Sequence, residues 1–391
     1  MIQTKIVHVI TGTALGGAEI MLFRYLRALE NARHNHLVVS MMPCGPVAEM
    51  IRDLGVRVIG LDAGSARRIP QAVSRLNGIV ADVRPMVLHG WMYHGSLLAT
   101  LALRMGRRPD IGLVWGIHHS LSNPAREKPM TRTVLRGLRW MSGRADLITY
   151  CSQLSASQHT GFGFPQELTR FVPNAIDMDE FRPDPAAHTR LCAVAGIASE
   201  RQIIGTFARA HPMKDHVTFA RTIARLAACR TDVHGVLIGQ GQPDGAAIRE
   251  ARRYGIADRL TALPPRDDIA QLVPGLDLYL LSSAWGEALP LAVAEAMAAG
   301  IPPVVTDIGD CRWLVGNCGK ICPPGQPDAL AEACADLLSL SENARVRLSQ
   351  ACRIRIMKNM SMDDYITHHD LIYRQAHARR QTPSAGWRHM A

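Results

Sequence analysis

The sequence predicts an α/β protein made of two doubly wound halves, each a parallel sheet covered by helices. Three observations carry this. The 391 residues exceed what one ordinary core holds. Short β-branched apolar runs alternate with longer segments of helical period, and the series occurs twice. Between the two series, residues 172–185 read VPNAIDMDEFRPDP, with three prolines and four acidic residues, a composition suited to a connection.

In the first half, Lys5–Ile10, Asn35–Met41, Val56–Leu61, Met86–His89, Ile111–Ile117 and Ala145–Tyr150 read as buried strands, bounded by turn residues. Ala18–Leu29, Val47–Leu54, Pro70–Val83 and Ser96–Arg104 carry the helical period between them. The second half restarts with strands at Ile203–Phe207, Val233–Ile238, Arg259–Leu263, Leu276–Leu281 and Pro303–Thr306. Helices are expected at Asp215–Ala228, Pro243–Tyr254, Leu289–Ala299, Pro327–Leu338 and Glu342–Met357. The domains expected are 1–172 and 201–360, joined by a linker at 173–200. Residues 361–391 are expected to hold a C-terminal helix packing back on the first domain, then a polar, basic tail fraying after about Arg374. Two such sheets facing each other would present their strand ends to one cleft, so the residues just after the strands are the ones to weigh.

The composition is that of a globular protein. Nine scattered cysteines form no CxxC pair and read as small buried residues of a reducing compartment. No apolar run is long enough to cross a bilayer, and the first residues do not make a signal peptide, so a cytoplasmic location is expected. The net charge of +10 is one-sided: residues 1–170 carry 20 Lys/Arg against 10 Asp/Glu, and residues 171–391 carry 24 of each. Such a field suits an anionic membrane surface, a phosphorylated lipid or an acidic polymer, or is a solvated basic surface with no partner. Nucleic acid is disfavoured, because no aromatic platform is interleaved with the basic residues.

Three stretches carry chemistry. After the first strand comes TGTALGGAE, where Gly16 and Gly17 can let backbone N–H groups approach an anion at a helix start. The spacing Gly12, Ala14, Gly17 misses the middle glycine of the dinucleotide fingerprint, and no acidic residue ends the second strand, which disfavours NAD or FAD. After the first strand of the second half, Arg209 and Lys214 stand in ARAHPMKD, two cations beside a helix start that suit a diphosphate or make an ordinary basic loop. In SSAWGEALPLAVAEAMAAG, Glu287 stands in a loop, Pro290 fits a first helical turn, and Glu295 lies in an alanine-rich helix. A carboxylate there needs a partner, and a ribose diol would serve; an ion pair would also serve.

In order and spacing these residues resemble the GT4-type retaining glycosyltransferases, the glycosyl transferases group 1, which have the GT-B fold of two Rossmann-like domains facing across a cleft. The resemblance spans nearly the whole chain. It rests on Gly16-Gly17-Ala18-Glu19, Val172-Pro173-Asn174-Ala175-Ile176-Asp177, Arg209 with Lys214, the Glu287…Glu295 pair in the family's E-x7-E spacing, GIPPVVT at 300–306 and PPGQP at 323–327. The resemblance implies a nucleoside-diphosphate sugar donor and an acceptor hydroxyl. Arg209 and Lys214 would bind the diphosphate, Glu295 the ribose, and Glu287 would lie near the transferred sugar. Amides around Leu289, Pro290 and Leu291 would meet a phosphate, and Gly16 and Gly17 would border the diphosphate and acceptor. His118, with His119 as its rival, would contact the sugar. Ala288-Leu289 replaces the family's usual Gly-Phe, and Leu291 replaces a common Asn or Gly, changes that bear on sugar specificity. Neither a metal nor another cofactor is expected, since protein cations can take a metal's place.

The stretch Lys128–Met141 is basic and helix-like. Arg132, Arg136 and Arg139 are spaced to share one face, with Val134, Leu135, Leu138 and Met141 on the other. It reads as a surface for anionic membrane or as a core helix with a solvated face. With the basic first half, it supports a saccharide or lipid-linked acceptor in cell-surface polysaccharide synthesis. The alternatives are a nucleotide-sugar epimerase and a non-catalytic sugar-nucleotide-binding protein of the same fold.

Overall fold

The computed structural model describes residues 5–381. It divides into two compact units, residues 1–175 with 362–391, and residues 176–361. Unit 1 holds seven strands: β1 (Ile6–Ile10), β2 (His36–Ser40), β3 (Arg57–Gly60), β4 (Val87–Trp91), β5 (Gly112–Ile117), β6 (Leu147–Tyr150) and β7 (Thr169–Phe171). The helices between them are α1 (Gly17–Ala28), α2 (Pro46–Asp53), α3 (Ile69–Val83), α4 (Met92–Gly106), α5 (Pro129–Met141) and α6 (Gln153–Phe162). All neighbours in the sheet run parallel, in the order β3-β2-β1-β4-β5-β6-β7. Parallel neighbours need crossovers, and helices supply them on both faces. This is why β1, β2, β4 and β5 are apolar runs buried along their whole length.

Unit 2 begins with α7 (Ala187–Ala195) and continues through β8 (Gln202–Phe207), α8 (His216–Cys229), β9 (Val233–Ile238), α9 (Ala246–Arg253), β10 (Leu260–Leu263), α10 (Ile269–Leu272) and β11 (Leu278–Leu281). It is completed by α11 (Leu291–Ala298), β12 (Pro303–Thr306), α12 (Cys311–Val315), β13 (Lys320–Cys322), α13 (Pro327–Leu338) and α14 (Glu342–Asn359). Its sheet is parallel in the order β10-β9-β8-β11-β12-β13.

Two boundaries differ from expectation. The stretch 173–200, expected as a linker, supplies Ile176, Phe181, Leu191, Cys192 and Ile197 to the core of unit 2. Its prolines and acids hide these widely spaced apolar residues. The tail expected to fray after Arg374 instead continues as helix α15 (Met362–Gln381), which belongs to unit 1 and buries Tyr365, Ile372, Tyr373 and Ala376. Gly112 allows its close approach, because a Cβ there would lie 2.9 Å from the Ala376 carbonyl carbon. The terminal arginines are anchored: Arg380 pairs with Asp146 at 2.8 Å and Arg379 donates to the Asp146 carbonyl at 2.7 Å. Of the nine free cysteines, Cys229 is exposed and Cys44 half-buried, and the other seven are buried.

Candidate active site

In unit 2 the chain moves outward from β8 in both directions, first to β9 and β10 and later to β11. The gap between β8 and β11 is therefore the topological switch point, where the loops leaving two neighbouring strands part and leave a crevice. The loops that leave these strands, 208–215 and 282–290, contain Arg209, Lys214 and Glu287. Lys214 Nζ pairs with Glu287 Oε1 at 2.6 Å, and the Ser283 hydroxyl donates to the same oxygen at 2.7 Å. Glu287 is 8 % exposed, so both bonds answer the cost of burying its charge.

The two loops are also joined through backbone. The Ser282 hydroxyl lies 3.0 Å from the carbonyls of Lys214 and Asp215, and the Ala284 N–H donates to the Met213 carbonyl at 2.8 Å. Thr306, at the end of β12, donates its hydroxyl to the Ser283 carbonyl at 2.7 Å. Gly309 supports the loop from below, at φ +54; a Cβ there would lie 2.5 Å from the Glu287 carbonyl oxygen. Lys214 has three donors, and Glu287 takes one.

Arg209 is exposed on the same loop as Lys214. Buried Gln242 props that loop by donating to the Ala208 carbonyl at 2.6 Å, and the Ala210 N–H donates to the Gln240 carbonyl at 2.7 Å. Lys214 precedes α8, whose first turn is capped by Asp215 accepting from the Thr218 N–H. Burial, then the neighbouring Lys214 charge, lowers His216 to about 4, so this imidazole is neutral at pH 7.

Glu295 is half-buried on α11. Burial pushes the Tyr279 hydroxyl up, and the charges of Glu295 and Glu287 push it further, so both acids act on this one phenol. Tyr279 stays a neutral hydroxyl that accepts from Thr206 and from the Phe207 N–H. Pro290, expected inside the first helical turn, is the cap residue before it, with Leu291 as the first helical residue. The N–H groups of Leu291 and Ala292 fall among those that a helix start leaves without intrahelical partners. The side chain of Leu289 is buried in the core, so only its backbone is available to a ligand.

Gly16, Gly17 and His118 belong to unit 1. Gly16 is the extended N-cap of α1, and the Glu19 carboxylate lies over it, in contact range of any Cβ placed there. Burial raises the pKa of Glu19, and a hydrogen bond from its own backbone N–H opposes this. His118 bonds through Nδ1 to Asn174 Oδ1 at 3.0 Å and stacks on Trp91, with ring centroids 5.0 Å apart and planes at 5°. Burial lowers it to about 4 against the Asn174 bond. A carbonyl oxygen only accepts, so Nδ1 carries the proton and Nε2 presents a lone pair. His119 is held elsewhere, 2.9 Å from Glu127.

On α5, Val134, Leu135, Leu138 and Met141 are buried. Arg132 and Arg136 line a hollow of about 360 Å³, and Arg139 lies over the Phe162 ring at 5.6 Å.

Sequence reasoning missed Ser283, Thr306, Tyr279 and Gln242, which hold the charged residues from behind. They fall in or next to apolar strands, and only tertiary contact reveals their partners. It also passed over Asp177-Met178-Asp179, which has an Asp-x-Asp spacing. Asp177 there accepts the backbone N–H groups of Asp179 and Glu180, and so closes a turn. Among the described residues, no three His, Cys, Asp or Glu side chains group as a metal site would require.

Two family models match the chain: Glycosyltransferase Family 4 over residues 15–180 and Glycosyl transferases group 1 over residues 201–340. EpsF of Bacillus subtilis, named as a glycosyltransferase, is 25% identical over 312 residues, 78% of this chain and 79% of that protein. The GDP-mannose-dependent alpha-(1-6)-phosphatidylinositol monomannoside mannosyltransferase of Mycolicibacterium smegmatis is 26% identical over 254 residues, 62% of this chain and 64% of that one, just under two thirds of its length. The crystal structure of Anabaena HepE in complex with UDP superposes with a TM-score of 0.82 at 20% identity, over 95% of this chain and 99% of that one. With its two parallel doubly wound sheets and both family models in chain order, the chain belongs to the group 1, family 4 glycosyltransferases and has the GT-B fold.

Proposed function

We propose that this glycosyltransferase moves a sugar from a nucleoside-diphosphate sugar to an acceptor hydroxyl with retention of anomeric configuration. The observation that carries the reading is the Lys214–Glu287–Ser283 constellation at the switch point of unit 2. Lys214 and Arg209 supply two cations on one loop, and α11 adds the amides of its first turn. Such groups, fixed in advance, stabilise the charge that develops on a departing diphosphate. In the step proposed, the bond from the anomeric carbon to the phosphate oxygen breaks and its electron pair stays on the phosphate. The acceptor oxygen bonds to that carbon, and its proton passes to a phosphate oxygen. Protein cations carry the leaving-group charge, which supports a reaction without a metal.

Glu295 takes the ribose hydroxyls, and Glu287, anchored through Oε1, offers Oε2 to the transferred sugar. His118 takes the family's histidine position, supported by the lone pair on Nε2; His119 is engaged with Glu127. Gly16 and Gly17 border the diphosphate and the acceptor. The acceptor is a lipid-linked saccharide of cell-surface polysaccharide, met at the inner face of the plasma membrane. In support, α5 exposes Trp140 and Met130 beside Arg136 and Arg139, the mixture of apolar and basic groups that anionic membrane surfaces attract. The name of the M. smegmatis relative contains phosphatidylinositol monomannoside, a glycolipid.

The test is turnover of nucleotide sugars, uridine- and guanosine-linked, by the wild type and by Arg209→Ala/Lys214→Ala. The double variant is expected to lose at least about a hundredfold in kcat/KM, the usual cost of removing transition-state donors. Near-normal kcat/KM in a folded double variant would remove the assignment.

A further inference from the structure

A cavity of about 520 Å³ opens within unit 1, and apart from Met130 its lining residues have no role assigned above. Its walls are apolar: Met41, Met42, Ile69, Leu97, Leu101 and Met130. The volume is in the range of small-molecule sites, which combine apolar walls with a few convergent polar groups. Four polar side chains are present here, Thr11, Ser65, His94 and Thr133, and two of them lie at strand ends. Thr11 follows β1, His94 lies in the first turn of α4 just after β4, and both line the cavity. In the order β3-β2-β1-β4 these strands flank the switch point of the first sheet, so the cavity lies at the carboxyl ends where ligands of such sheets bind. The Thr11 hydroxyl oxygen is buried and has no hydrogen-bond partner among the described residues. A buried hydroxyl without a partner is destabilising, and a polar ligand atom would remove that cost. Met41, Met42 and Met130 give these walls three methionines, whose flexible thioethers adapt to irregular apolar shapes.

We infer that this cavity binds the hydrocarbon chain of an amphiphilic acceptor, with its phosphate-bearing end at Thr11 and His94. The inference rests on the transferase reading and narrows its acceptor. A pure saccharide would leave the apolar walls unused, and a pure hydrocarbon would leave the Thr11 hydroxyl unpaired. Among the described residues no Lys or Arg lines the cavity, so the charge of this half, 20 Lys/Arg against 10 Asp/Glu in residues 1–170, acts on a phosphate there at longer range. Met130, Thr133, Val134 and Gly137, at helical spacing along α5, form one wall. The helix that offers Trp140 and Arg136 to a membrane surface thus also borders the cavity, which gives a chain a short path from lipid to site.

The test is calorimetric titration of the full chain with decyl phosphate below its micellar concentration, with inorganic phosphate and with UDP and GDP. Gly137→Leu narrows the cavity without disturbing the fold: a Cβ at Gly137 meets nothing within 4 Å, and leucine favours a helix more than glycine does. Thr11→Val removes the hydroxyl at constant shape. Decyl phosphate is expected to bind at least tenfold more tightly than inorganic phosphate. Gly137→Leu should weaken decyl phosphate at least tenfold, and Thr11→Val about threefold or more, with nucleoside diphosphate binding unchanged in both. Equal affinity for decyl phosphate and inorganic phosphate, or no effect of Gly137→Leu on a folded protein, would overturn the inference while leaving the transferase reading intact. Decyl phosphate binding that responds to Gly137→Leu in a protein that binds neither nucleotide would uphold the cavity and count against the transferase reading.

Discussion

His118 illustrates how a residue's chemistry is set by what lies behind it. Asn174 fixes its proton on Nδ1, and Trp91 holds its ring plane. Trp91 is itself oriented by donating Nε1–H to His8 Nδ1 at 3.1 Å, and His8 Nε2 meets His36 Nδ1 at 2.9 Å. Because His8 Nδ1 accepts, its proton is on Nε2, and the chain of donors runs from Trp91 through His8 to His36. Asn174→Ala frees the imidazole to rotate. It is expected to lower kcat by up to about a hundredfold, the scale of a small misplacement at a reacting centre. Nucleoside diphosphate affinity, read by calorimetry, should stay within about twofold, because the two cations proposed to grip it, Arg209 and Lys214, lie in unit 2. At this scale the sequence was legible where charge stands out in a loop, as at Arg209, Lys214 and Glu287. It was not legible for Ser283 or Gln242, whose partners are set by tertiary contacts.

Among the elements, the switch-point loops depend on close approach of backbone. Gly309 combines φ +54 with contact to the Glu287 and Ala288 carbonyls. Gly309→Ala is expected to cost about 1 kcal/mol or more, since alanine at positive φ is strained and its Cβ must displace the loop. Urea unfolding measures this, and a loss of donor affinity in the same variant would show that the Glu287 loop has moved. Strands such as β1 and β9 were legible because burial on both faces demands mostly apolar runs, even with His8 and His234 inside them. The three-residue strands β7 and β13 were not, since each is mostly half-buried and too short to show a period. The stretch after Ala175 was misread for a related reason: polar turn residues outnumber Ile176, Phe181 and Leu191, and burial of those three becomes evident only with the helices they meet.

For the molecule as a whole, the return of α15 to unit 1 makes that unit depend on both ends of the chain. His8, His36, His89 and His369 are buried there with Tyr25, Tyr365 and Tyr373. Burial lowers all four histidines, His36 to about 4 from an ordinary 6.5. The unfolded chain takes up protons as pH falls through about 6.5, and the folded unit resists until about 4. Stability is therefore complete above pH 6.5 and falls as pH drops toward 4. His36 alone accounts for about 2 kcal/mol at pH 5. Urea midpoints at pH 7.5 and pH 5 should differ accordingly, and the difference should shrink in His36→Gln. The fold class itself was legible from alternation and length alone; the seat of the C-terminal helix was not, because its anchors, Arg379 and Arg380, read as tail charge.

The loops after β8 and β11 are proposed to grip a diphosphate. Calorimetric titration with UDP and GDP, each compared with its nucleoside, checks this in the wild type and in Arg209→Ala/Lys214→Ala. At least one diphosphate is expected to bind roughly a hundredfold more tightly than its nucleoside, and the double variant is expected to lose this advantage. Equal binding of diphosphate by the wild type and the folded double variant would contradict it.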